Sequence, residues 1–348
     1  SQPAMAADGG PAIGVEPHCP CPSDPLPPGR GMRARAICLK RCSGRWAACE
    51  AHMRGALPPD LDFAMFEGCD GSLYRGLLGA DEASEEPPSE EQVAALEAAM
   101  GCRLYRGWPV CESEDVLRLL EEDGQPTEGL SEGDAWNAYR RWFADWPRHR
   151  VTPYIDFHCR HITLGEVGAA LSHAAVIEEA AAAGVDAQIV FEDDARPLPG
   201  AAERLAGELA LLERAGLAWD LVYLRGSLYS RTPEEPLAPR VPGSSLFVAQ
   251  HRKVTDAYCL SRRGLARIAR CGFRECLLAF DEFLPALHSS HPRRDVMRLP
   301  CVQRARCDDE GGFVAFSFGD AVLCEVAVSG SETNFSPCVL GDHGAELG

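Results

Sequence analysis

The segment from Thr163 to Leu224 admits few folds. TLGEVGAALSHAAVIEEAAAAG carries the marks of one complete helix: Thr163 and Glu166 stand at capping-box spacing, and Gly184 supplies a stop. Val167, Ala170, Leu171, Ala174 and Ala181 fall on one face. AQIVFEDDAR follows, in which Ile189, Val190 and Phe191 read as a buried strand. A second amphipathic helix over 201–214 and a second strand over 220–224 (DLVYL) come next. Helix–strand–helix–strand order predicts an α/β domain with a mostly parallel, Rossmann-like sheet flanked by helices.

Elements on either side extend the pattern. A strand centred on Ile37 and Leu39, a helix over 45–53 and a strand within FAMFEGCDG (63–71) are expected first. A strand at 257–260, a helix at 263–270 and paired strands around Gly319-Asp320 are expected last. The first 30 residues are rich in Pro and Gly without apolar periodicity and predict a disordered tail. The span 80–150 reads as an acidic loop and short helices at 92–100, 114–122 and 134–146. Trp108, Trp136, Trp142 and Trp146 lie there, either as packing anchors of a helical insert or as a sugar-stacking platform.

A formal net charge of −18 argues against a nucleic-acid partner and favours a basic acceptor. No run of about 18 apolar residues predicts a membrane span, and no apolar h-region opens the sequence. The 16 cysteines contain no pair of CxxC motifs at zinc spacing, which leaves disulfides in an oxidising lumen or free buried thiols.

Chemistry gathers at two acidic stretches. Glu192, Asp193 and Asp194 sit at the carboxyl end of the expected strand, where open α/β sheets place ligands. Three adjacent acids repel unless a cation joins them, and a hard divalent ion bound by oxygen ligands is the usual solution. FDEFLP offers Asp281 and Glu282 among apolar neighbours; they are either a functional pair or an N-terminal pair facing a helix dipole. Lys40, Arg41 and Arg45 after the first strand suit an anionic ligand or a solvated turn, and Asp70-Gly71 marks a turn. Ser172 and His173 lie on the long helix, where a core role competes with a ligand role. Pro233 to Gly243 reads as a loop over the site, and Asn334 opens a sequon followed by Pro337.

GEVGAALSH, FEDDARP, DLVYLRG, AYCLSRRG and DEFLP, in this order after ICLKRCSGRW, closely resemble glycosyltransferase family 25. That family holds procollagen galactosyltransferases and bacterial lipopolysaccharide galactosyltransferases, and the pairing of FEDD with DEFLP is more similar to the collagen-type branch. The resemblance covers about residues 33–336. Two departures stand out: Ala169 replaces a cysteine common in relatives, and 80–150 aligns poorly. The resemblance implies one GT-A-type domain over 31–336 with a variable insert at about 80–150, and a C-terminal tail over 337–348.

It further implies inverting transfer from a nucleotide sugar with Mn²⁺ or another divalent cation. UDP-galactose is the first choice of donor and UDP-glucose the alternative; the acceptor is a collagen-like protein, through hydroxylysine, or a glycan. Asp194 and Glu192 become metal ligands with Asp193 in support. Asp281, then Glu282, becomes the general base. Ile37, Leu39, Arg41, Arg45, Asp70, Ser172 and His173 line the nucleotide side. Other readings are a catalytically silent relative serving as a binding or adhesion module, and a metal-dependent phosphoesterase. A collagen-type protein would work in the endoplasmic reticulum lumen, another relative in the cytoplasm.

Overall fold

The computed structural model describes residues 31–78, 89–105, 162–225, 234–252, 255–291, 294–308, 311–318 and 323–326, with scattered positions between 120 and 134. Both expected tails, the four tryptophans named above, the helix expected at 134–146 apart from Asp134, and the Asn334 sequon lie outside the described residues.

The first strand, β1 (Met32–Cys38), leads into α1 (Ser43–Ala56) and β2 (Asp62–Glu67), then a 3-10 turn over Gly71–Leu78 and α2 (Glu90–Met100). The long helix α3 (Leu164–Ala182) precedes β3 (Ala187–Glu192), β4 (Ala195–Pro197), α4 (Ala201–Arg214) and β5 (Leu221–Tyr223). Two short strands, β6 (Glu235–Pro236) and β7 (Phe247–Val248), lead to β8 (Ala257–Ser261), α5 (Arg262–Arg270) and α6 (Phe280–Ala286). The chain continues through helical turns to the pair β9 (Cys307–Asp308) and β10 (Gly311–Gly312), then β11 (Ala315–Ser317) and β12 (Cys324–Val326).

Eight strands form one sheet in the order β2-β1-β3-β8-β5-β11-β7-β6. The sheet is mixed, which corrects the mostly parallel expectation. β2, β1 and β3 run parallel, β8 runs antiparallel to both β3 and β5, and β11 is parallel to β5. The expected pairing around Gly319-Asp320 is also corrected. β11 joins the large sheet, whereas β12 pairs with β4 in a separate ribbon.

Strand alternation divides the core into two layers. Val190, Leu221, Tyr223, Tyr258 and Leu260 point to the face covered by α2, α3, α5 and α6. Ile189, Phe191, Val222, Ala257 and Cys259 point to the opposite face, against Cys49 and Met53 of α1 and Leu205 and Leu212 of α4. The central strands β3, β8 and β5 are therefore buried on both faces, which explains their nearly unbroken apolar runs.

The Thr163/Glu166 capping box forms as expected: the Thr163 amide donates to Glu166 Oε2 at 2.8 Å and the Glu166 amide to Thr163 Oγ1 at 3.2 Å. α3 packs so closely on the 68–71 turn that a Cβ on Gly168 would stand 2.5 Å from the Cys69 carbonyl oxygen. The segment at 233–243 includes the edge strand β6 rather than loop alone. All eleven described cysteines are free thiols.

Candidate active site

The acids at the end of β3 lie between the neighbouring strands β1 and β8. Ile37 of β1 pairs with Glu192 across the parallel ladder, so the turn after β1 lies beside the acids. On the other side β8 runs antiparallel, so its first residues abut the last residues of β3. Phe191 registers with Ala257, and the Glu192 amide donates to the Asp256 carbonyl at 2.8 Å.

This junction brings Asp256, absent from the expected site, to the acids. One carboxylate oxygen each from Glu192, Asp194 and Asp256 lies within 4.8 Å of the others, and all three residues are half-buried. Asp194 Oδ1 is buried and has no hydrogen-bond partner among the described residues. Burial, reinforced by Glu192 and Asp256, pushes the Asp194 carboxyl up to about 7. Burial and Asp256 raise Glu192 to about 8 against the opposing hydrogen bond from Thr255. Burial also raises Asp256, although the Arg225 guanidinium hydrogen-bonded to it pulls the other way. Crowded acids that resist ionisation, with an orphaned oxygen among them, fit a hard divalent cation with oxygen ligands.

Asp193 points elsewhere. Its Oδ2 lies 3.3 Å from Arg45 Nη1 and accepts from the Cys38 thiol at 3.4 Å, while its carbonyl accepts from Arg196 at 2.9 Å. Burial and then Asp193 push the Cys38 thiol up, which keeps it a donor. Arg41 hydrogen-bonds Asp70, whose Oδ1 also accepts from the Ser72 hydroxyl at 2.6 Å. Burial would raise the Asp70 carboxyl, but the Ser72 and Arg41 bonds outweigh it and hold it below the usual range.

Ile37, Leu39 and Ser172 converge on Gly68, where a Cβ would meet Ile37 Cγ2 and Ser172 Oγ at 3.2 Å and Leu39 Cδ2 at 3.4 Å. Ser172 Oγ donates to the Gly168 carbonyl at 2.6 Å and accepts from the Cys69 amide at 2.7 Å. It thereby ties α3 to the turn after β2, a structural use of the residue.

His173 belongs to the acidic cluster. Its Nδ1 is 2.8 Å from the Tyr258 hydroxyl and its Nε2 is 3.4 Å from Glu192 Oε1. Burial lowers its pKa to about 3, so the contact with Glu192 is a neutral one rather than an ion pair. A Tyr258 hydroxyl donating to Nδ1 leaves Nε2–H to face the carboxylate.

Asp281 and Glu282 occupy the first turn of α6 and diverge. Asp281 Oδ1 lies 2.6 Å from Thr255 Oγ1, which is also 2.8 Å from Glu192 Oε1. Burial and Glu192 raise the Asp281 carboxyl well above its ordinary value. Glu282 turns into the core, 1% exposed, with Oε2 at 2.8 Å from His291 Nε2. The two acids, read together in sequence, thus serve different surroundings.

No protein-family model matches the chain. Over 141 residues it is 37% identical to procollagen galactosyltransferase 1-A of Xenopus laevis, a match covering 40% of this chain and 22% of that protein. The chain is related to glycosyltransferase family 25. Procollagen galactosyltransferase 1 of Danio rerio is 33% identical over 146 residues, covering 41% of this chain and 24% of that protein. The inactive glycosyltransferase 25 family member 3 of Homo sapiens is 36% identical over 133 residues, covering 38% and 22%. The chain, similar to the collagen-type members of that family, matches less than a quarter of the length of these relatives.

Proposed function

We propose that this protein is an inverting, metal-dependent glycosyltransferase of GT-A type that moves galactose from UDP-galactose to an acceptor hydroxyl, with hydroxylysine of a collagen-like protein as the first acceptor to test. The observation that carries the reading is the buried Asp194 Oδ1, without a hydrogen-bond partner among the described residues, inside the Glu192–Asp194–Asp256 cluster of a family 25 relative. Those three carboxylates would hold Mn²⁺ or a similar ion. When bound, the cation would offset charge on the departing diphosphate.

The chain's own residues supply the rest. Arg45 and Cys38 fix Asp193 beside the turn after β1, and Arg41 fixes Asp70, giving that turn a set shape against the nucleotide. His173 holds Glu192 with a neutral donor. Inversion by direct displacement leaves a hydroxyl proton to remove. Asp281 is the base in this reading, because it stands one hydroxyl away from Glu192, whereas Glu282 is committed to His291 in the core.

The test is incubation with Mn²⁺ and a panel of UDP-sugars that includes UDP-galactose and UDP-glucose, with and without a hydroxylysine-containing collagen peptide. Consumption of UDP-galactose and a matching mass gain on the peptide are expected. Donor binding without transfer or hydrolysis would favour a silent relative, a reading prompted by the inactive human relative. Absence of any Mn²⁺ or donor binding would sink both.

A further inference from the structure

The metal-side acid Glu192 and the base-side acid Asp281 come from distant parts of the chain, yet they share one contact. Thr255 Oγ1 lies 2.8 Å from Glu192 Oε1 and 2.6 Å from Asp281 Oδ1. Thr255 is 4% exposed and sits immediately before Asp256. Its backbone is set by the β3–β8 register, because the Glu192 amide is bonded to the Asp256 carbonyl at 2.8 Å. Asp281 is set independently, on the first turn of α6, which is seated by Phe280 stacked on His173 and by Glu282 against His291. A hydroxyl carries a single hydrogen and two lone pairs, so it donates to one of the two acids and bonds the other by accepting when that acid carries a proton, which an apolar side chain could not do.

We propose that Thr255 is a positioning residue: its hydroxyl orients Glu192 toward the cation and holds Asp281 at a fixed separation from it, coupling the donor and acceptor halves of the site. The proposal rests on the metal-dependent transferase reading above. Hydrogen bonds to ligating carboxylates typically govern metal affinity by about 10–100-fold. The hydroxyl, rather than the volume of the side chain, carries this role.

The experiment compares the wild type with Thr255→Val, Thr255→Ala and Thr255→Ser. Calorimetric titration of each metal-free protein with Mn²⁺ alone comes first. Valine and alanine are expected to weaken Mn²⁺ binding by about tenfold or more, and serine to stay within about threefold of wild type. At saturating Mn²⁺, with the donor that the wild type consumes, valine should lower kcat by about tenfold or more while donor KM changes little, and serine should restore kcat. Melting temperatures establish that each variant is folded, and alanine replaces valine if the latter is not. A wild type that binds no Mn²⁺ overturns the underlying reading and this proposal with it. A wild type that binds Mn²⁺, alongside folded valine or alanine variants that bind and turn over equally well, overturns the role of Thr255 alone. Serine behaving like valine would also overturn it, since the hydroxyl would then be irrelevant.

Discussion

His173 stacks face to face on Phe280, with ring centroids 4.5 Å apart and planes 1° from parallel, while its edge joins the Tyr258 hydroxyl to Glu192. The stack binds α3 to α6 and the edge binds α3 to the site. His173→Phe keeps an aromatic ring against Phe280 and strands the buried Tyr258 hydroxyl, so a loss of about 1–3 kcal/mol is expected in urea unfolding. Adding Tyr258→Phe removes the orphaned group and should recover part of that loss. A double variant less stable than the sum of the singles would count against the account.

Asp194→Asn should have opposite effects on function and on the stability of the metal-free protein. Loss of a direct ligand is expected to lower metal-dependent transfer about 100-fold or more, the scale of several kcal/mol of charge stabilisation. The same change relieves a buried acid whose folded pKa is raised to about 7. A raised acid costs the fold stability once pH exceeds the unfolded value near 4, and the cost grows until the folded value is passed. Metal-free Asp194→Asn should therefore gain on the wild type as pH rises from about 4 to about 7, by up to about 4 kcal/mol. Paired denaturation curves without cation check this, and a gap independent of pH would refute it.

His288 gives the opposite sign. Burial, helped by Arg306, lowers its pKa to about 3, and its Nε2 lies 3.0 Å from the Tyr223 hydroxyl. A histidine held neutral contributes stability that is present above its unfolded pKa near 6.5 and lost as pH falls toward about 3. His288→Gln, which cannot gain that proton, should lose less melting temperature than wild type between pH 6.5 and 4. Parallel pH curves would exclude His288 as a source of acid sensitivity.

Two helical glycines should respond oppositely to alanine. At Gly168 the new Cβ would meet backbone, 2.5 Å from the Cys69 oxygen and 2.8 Å from the Gly71 nitrogen, so α3 must move from the 68–71 turn. A loss of about 1–3 kcal/mol is expected. At Gly207 a Cβ would meet no described residue within 4 Å, and alanine should stabilise α4 by about 0.5–1 kcal/mol. Thermal melts of both variants decide the matter.

Local signals made much of the fold legible. Thr163 and Glu166 form their capping box, and α4 spans the expected 201–214. The apolar runs at 189–191 and 257–260 are strands because both faces of the sheet are covered. Strand direction was not legible, since a doubly buried strand has the same composition whichever way it runs. That ambiguity hid part of the site. Had β8 run parallel to β3, Thr255 and Asp256 would lie at the opposite end of the sheet from Glu192. Its antiparallel course puts them beside it.

The same division holds for the residues themselves. The amino-acid sequence by itself determined the helix caps, the buried strands, the acids at the end of β3 and the resemblance to family 25, because each is written in neighbouring residues. Only the tertiary structure separated Asp281 from Glu282, one beside Thr255 and the other in the core with His291. Adjacent residues on a helix project about 100° apart, so which one faces a cleft depends on how the helix is seated. That seating is fixed by Phe280 on His173, a contact between residues more than 100 positions apart in the chain.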